Sequence, residues 1–257
     1  MLSQQQIINI ENILRNCLRS KFENYNPEPA SMPFHTRLLG KDRMALFSFI
    51  HSLNTNFGTT IFEPVANYLA LDKYKTVKTQ VVVGTKISSK AQEVIQNIMN
   101  NLSINGNPNK DNEIEAIRKV SQDGKINNIK PTKVDIWLES NSDDLFLIDI
   151  KTAKPNKGNF KEFKRTLLEW VACVFVENPD VNINTLIAIP YNPYEPKPYS
   201  RWTMAGMLDL NRELKVAEEF WNFIGGNNSY QILLDCFEKV GQELRPEIDS
   251  YFAKFIL

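Results

Sequence analysis

Residues 133–152 read KVDIWLESNSDDLFLIDIKT, and the reading of this stretch decides the fold. Two runs rich in β-branched, aromatic and aliphatic residues, 133–139 and 144–152, flank the polar SNSD. That pattern predicts two strands joined by a short connection. With residues 140–144 as the loop, Glu139 faces Leu145, and the same register sets Asp135 across from Asp149. Directly paired strand residues hold their Cβ atoms about 4.5–5.5 Å apart. Asp149 and Lys151 lie two apart on one strand, so they project from one face. Charged groups in so apolar a strand are costly unless something satisfies them.

The acid-x-lysine spacing is weak by itself. It recurs at Asp123–Lys125 in a polar turn, and at Glu162–Lys164 and Glu213–Lys215 on predicted helices, where acid and base mix as solvent-facing charges. Only Asp149 and Lys151 interrupt an apolar strand. The plain alternative is two edge-strand acids facing water beside an ordinary strand-end lysine. Matched register and a basic segment downstream favour a site instead. Two facing carboxylates repel unless a cation lies between them. Oxygen donors without nearby histidine or cysteine suit Mg²⁺. The expected site has Asp135, Asp149 and the backbone carbonyl of Ile150 holding Mg²⁺. Lys151 orients a water or stabilises charge developing on phosphorus. Hydrolysis of a phosphodiester there leaves a 5′-phosphate and a 3′-hydroxyl.

Outward from the pair, residues 3–22 and 41–54 have the apolar spacing of amphipathic helices. Thr60 and Glu63 read as a capping box opening a helix to about Leu71, with Pro64 in its first turn. A strand is predicted over 75–84, a helix over 89–102 and a short helix over 113–121. Downstream, Asn159 caps a helix with Glu162 at its third position, and Phe160, Phe163, Leu167, Val171 and Val174 form its apolar stripe. A strand over 183–189 precedes two helices, about 206–223 and 229–255. The order predicts one mixed α/β domain over 1–257. Its helical N-terminal part covers about 1–72, its core about 73–200, and its C-terminal helices about 206–257.

Bulk composition narrows the class. The chain has 257 residues, 42% hydrophobic and 23% charged, ordinary for a globular protein. Thirty basic residues balance thirty acidic ones, so only local charge argues for a polyanionic partner. From Lys151 to Arg165 six basic residues meet one acid, Glu162. Such a cluster can follow a phosphate backbone, or be a solvated face. Cys17, Cys173 and Cys236 are far apart and read as buried thiols in a reducing cytoplasm. No apolar run approaches the ~18–20 residues that span a bilayer, and MLSQQQIINI lacks the features of a secretory signal. His35 and His51 are too few for a zinc hydrolase, and no nucleotide-binding loop or serine elbow is present.

PTKVD at 131–135, a hairpin, and LIDIKTAKPN at 147–156 together resemble the core of the PD-(D/E)XK nucleases. The proline stands at Pro131 and not beside Asp135, a departure from the family pattern. The wider string FHTRLLGKDRMALFSFIHSLNTNFGTTIFEPVA (34–66), with IPYNPYEPKPYSRW (189–202), is similar to type II restriction enzymes of the TdeIII kind. The resemblance implies a restriction-endonuclease-like core: a central mixed sheet flanked by helices, with helical N- and C-terminal additions. It also implies Mg²⁺, double-stranded DNA as substrate, and a homodimer on a palindromic site. Glu63 is either a further acid ahead of the core, as in relatives, or a capping glutamate answering Thr60. Lys154, Asn156, Lys157 and Arg201 are the candidates for reading bases; Lys161, Lys164 and Arg165 are candidates for phosphates. Two alternatives stay open: a structure-specific repair or junction nuclease on the same core, and a non-catalytic nucleic-acid binding module.

Overall fold

In the computed structural model, which describes residues 2–28, 32–151, 154–155, 159–200 and 206–255, KVDIWLE and LFLIDI are antiparallel neighbours. Glu139 stands opposite Leu145 and Ile136 opposite Ile148, the register expected from the loop length.

The chain opens with helices α1 (Gln4–Asn24), α2 (Pro33–Leu39), α3 (Lys41–Phe57) and α4 (Glu63–Ala70). Strands β1 (Thr76–Val82) and β2 (Lys86–Ser88) lead into α5 (Ser89–Asn105) and α6 (Lys110–Arg118). Next come β3 (Ile126–Asn128), β4 (Lys133–Glu139), β5 (Leu145–Ile150) and α7 (Asn159–Glu177). After β6 (Ile183–Ile189) and β7 (Leu214–Val216) the described chain ends in α8 (Glu218–Gly225), α9 (Ser229–Glu243) and α10 (Arg245–Ala253).

The main sheet has the order β1-β4-β5-β6-β7, antiparallel over its first two pairings and parallel over the last two. A parallel neighbour requires a crossover, and α7 supplies it between β5 and β6. Helices cover both faces, which explains why LFLIDI and INTLIAI read as nearly unbroken apolar runs. Leu145 and Leu147 pack with α5, α6 and α7 on one side, and Ile148 packs with α1, α4, α8 and α9 on the other. β2 and β3 form a separate small ribbon.

Several expectations need correction. The second helix does not end near residue 54: α3 passes through a π-helical turn, Gly58–Phe62, directly into α4. Pro64 has no N–H, and its ring presses on the carbonyl four residues back. Wider winding accommodates this, with the Glu63 N–H bonded to the Gly58 carbonyl. Thr60 therefore opens no helix; its hydroxyl donates to the Asn56 carbonyl at 2.8 Å. The helix expected over 206–223 is replaced by turns, then β7, then α8, because Leu214–Val216 finds an open parallel edge on β6. The last helix breaks at Leu244, where Pro246 enters the first turn of α10.

Of the acid-x-lysine pairs at 162–164 and 213–215, Lys164 and Glu213 are not solvent-facing charges either, while Glu162 is exposed and Lys215 half-buried. Lys164 on α7 is fully buried between Glu113 of α6, at 2.5 Å, and Glu213, at 2.6 Å. Lys110 is buried beside them, 2.9 Å from Glu213 and 2.6 Å from the Thr185 hydroxyl of β6. Burial alone would raise the Glu213 carboxyl, but Lys110 and Lys164 outweigh it and hold the group below the ordinary range. Four buried charges thus balance and staple α6, α7, β6 and the approach to β7 together. Breaking one partner of a buried ion pair leaves an uncompensated charge. Lys164→Met is expected to destabilise the fold by about 3 kcal/mol, measured by urea denaturation.

Candidate active site

The regular β4–β5 pairing stops at Ile136 and Ile148. One step further, Asp135 substitutes its side chain for its backbone: Oδ2 accepts the Ile150 N–H at 2.8 Å. β5 meanwhile stays in register with β6, and the Lys151 N–H bonds to the Ala188 carbonyl at 2.9 Å. Asp149 and Lys151 share a face as strand geometry demands, with Lys151 Nζ 2.8 Å from Asp149 Oδ1. The ammonium also lies over the Phe163 ring on α7, 5.0 Å from its centroid, where the π face attracts the charge.

Asp149 is only 7% exposed. Burial pushes its carboxyl up to about 7, Lys151 opposes the rise, and the charge of Asp135 adds to it. Asp135 is near enough for its charge to act on Asp149. The structure therefore brings Asp135, Asp149 and Lys151 together at the carboxyl end of β5.

Glu63 reaches the same place from α4. It is buried, which raises its carboxyl, and it caps nothing: its Oε2 accepts from Gln80 Nε2 at 2.8 Å. That same nitrogen donates to Asp135 Oδ1 at 3.2 Å. Gln80 was not among the residues singled out from sequence. The clue lay in β1, where Thr79 and Val81 pair with Ile136 and Val134, so Gln80 falls opposite Asp135. Nothing in a lone strand pattern reveals that pairing.

Among the described residues, no group of three or more His, Cys, Asp and Glu is gathered closely enough to hold a metal ion. The donor set nonetheless fits a hard divalent cation. Asp135 and Asp149 present oxygens only, one of them deeply buried, and Lys151 supplies one positive charge against two carboxyls. A third carboxyl, Glu63, stands one amide away.

The DNA-contact candidates divide. Lys161 is exposed on α7. Lys154 Nζ lies 5.2 Å from the Tyr194 ring centroid, beside a cavity lined by Phe57, Phe62 and Tyr191. Arg165 is half-buried and donates to Gln96 Oε1 at 2.8 Å, so part of its fork is already used. Lys164 is corrected outright, since a fully buried, doubly ion-paired ammonium meets no phosphate. Asn156, Lys157 and Arg201 lie outside the described residues.

A mixed sheet with antiparallel β4–β5, parallel β5–β6, and acids and a lysine at the strand ends is a restriction-endonuclease-like fold. Residues 2–241 match the family of type II restriction endonuclease HinfI, and the chain belongs to that family. It is similar to the type II restriction enzyme HgiCII of Herpetosiphon aurantiacus, 25% identical over 84% of this chain and 80% of that one. It is 26% identical to the type II restriction enzyme MjaII of Methanocaldococcus jannaschii, over 95% of this chain and 71% of the relative. HgiBI of Herpetosiphon aurantiacus is 23% identical over 89% and 86%. The protein is thus a site-specific DNA endonuclease, which sets aside the junction-nuclease and binding-module readings. The kinship with the TdeIII kind finds no support in these matches, which point to HinfI.

Without a cation, the buried carboxyl of Asp149 beside Asp135 opposes folding. Asp149→Asn keeps the shape and removes the charge. Its free energy of urea unfolding in EDTA at pH 8 is expected to exceed that of the parent by at least about 1 kcal/mol.

Proposed function

We propose that the chain cleaves double-stranded DNA at Asp135, Asp149 and Lys151 with Mg²⁺ as cofactor, and that Glu63 assists them. The reading rests on one observation: the Lys151 ammonium sits 2.8 Å from a buried Asp149 that faces a second acid at the end of an apolar strand.

Asp135, Asp149 and the Ile150 carbonyl would hold the cation. When bound, Mg²⁺ polarises a phosphoryl oxygen and lowers the pKa of a coordinated water. Asp135 enters this role with its carboxylate already oriented, because the Ile150 N–H fixes one oxygen. Lys151 spends one N–H on Asp149, and an ammonium has three. The remaining two can direct an attacking water and bind the non-bridging oxygen that gains charge in the transition state. Contact with Phe163 keeps the ammonium aimed without neutralising it. Lys154, Asn156, Lys157 and Arg201 are assigned to base edges, and Lys161 and Arg165 to phosphates.

A twofold-symmetric target calls for a twofold protein, so the acting form is a homodimer. The chain is read as one cytoplasmic domain. Two ion pairs support that unity, Arg15–Glu243 and Arg19–Glu247, which tie α1 to α9 and α10. Three free cysteines suit a reducing compartment, and no described helix is long and apolar enough to cross a membrane.

Asp149→Ala and Lys151→Met are each expected to slow plasmid cleavage in Mg²⁺ by about 100-fold or more, while gel-shift affinity for DNA in EDTA changes little. Discrete fragments at the parental rate from either variant reject the assignment. Sedimentation should show twice the chain mass; a monomer that cuts both strands in one encounter removes the dimer.

A further inference from the structure

Asp135 has both oxygens engaged: Oδ2 by the Ile150 N–H and Oδ1 by Gln80 Nε2. The Gln80 amide also holds Glu63. A primary amide carries two N–H groups, enough for one bond to each carboxylate. It also carries no charge, so it ties the acids together without competing with a cation, as a lysine or arginine there would.

The backbone at Gln80 is unusual as well. Its φ is 55°, in the left-handed region that glycine enters freely and other L residues avoid. The sheet changes its pleat at the same point. Val77 packs with the α4 side and Val81 with the α7 side, although residues four apart on a strand normally share a face. On β4, Ile136 and Val134 divide in the same way around Asp135. A long polar side chain thus stands where glycine would be easiest, and its head meets two acids of the site. Strained positions of this sort collect where geometry serves function.

We propose that Gln80 is a positioning residue of the cation site: its amide orients the Asp135 carboxylate and holds Glu63 beside it. The proposal rests on the reading that Asp135 and Asp149 bind the divalent ion. It adds a residue from outside the acid-x-lysine motif and makes β1 part of the site.

The test measures Mn²⁺ binding by titration calorimetry on the DNA-free protein, thermal melting in EDTA, and plasmid cleavage. Gln80→Gly relaxes the backbone but removes both donors; Gln80→Met keeps the length and removes the donors. Both variants are expected to weaken Mn²⁺ binding about 10-fold, the usual scale for residues that orient metal ligands. Gln80→Gly should melt at or above the parental temperature. Parental Mn²⁺ affinity in both variants overturns the proposal, as does an affinity loss matched by a falling melting temperature in both, which would make Gln80 structural. Asp149→Ala, run in parallel, separates the two claims. If it still cleaves, the site reading itself fails; if it is inactive while both Gln80 variants bind and cut normally, only the role of Gln80 fails.

Discussion

The organising constraint is a carboxylate that must live at the end of a buried strand. β5 is apolar on both faces because helices cover both, and its charge emerges only at Asp149, where the regular pairing with β4 has ended. In a sheet with parallel neighbours, side chains at the carboxyl ends of strands border the crevice where ligands bind. β4 on one side delivers Asp135, β6 on the other keeps Lys151 in line, and α7 above presents Phe163 to the ammonium.

Two charge clusters in this molecule, one fully buried and one half-buried, use lysines and carboxylates with opposite outcomes. Around Lys164, two lysines meet two glutamates, every charge has a counter-charge, and the result is a rigid staple. Around Lys151, one lysine faces Asp149, Asp135 and, through an amide, Glu63. That group holds more acid than base. Charge balance, more than spacing, separates a structural acid-x-lysine pair from one suited to chemistry.

Irregular backbone converges on the site from two directions. The π-helical turn ahead of Pro64 sets where Glu63 starts α4, and the left-handed Gln80 turns β1 at the level of Asp135. The first lies next to Glu63 in the chain, and the second lies directly across the strand pairing from Asp135. Regular helices and strands hold the cores; the deviations aim the side chains.

Much of this was legible in the chain itself. The register of residues 133–150 follows from a polar loop between two apolar runs, because a one-residue slip would invert every side chain. That register alone predicts Asp135 near Asp149, and period two puts Lys151 beside it. The long helix from 159 and the strand at 183–189 are equally local in origin. Other features exist only through distant partners. Leu214–Val216 is a strand because β6 offers it an edge, and three residues carry no periodicity of their own. Lys164 looks like a surface charge until Glu113 and Glu213 fold around it. Thr60 and Glu63 satisfy a capping rule, yet the continuous helix through Pro64 sends the glutamate to Gln80 instead. Local sequence sets the period and register of an element, but burial and charge pairing depend on which elements meet, and only the tertiary structure decides that.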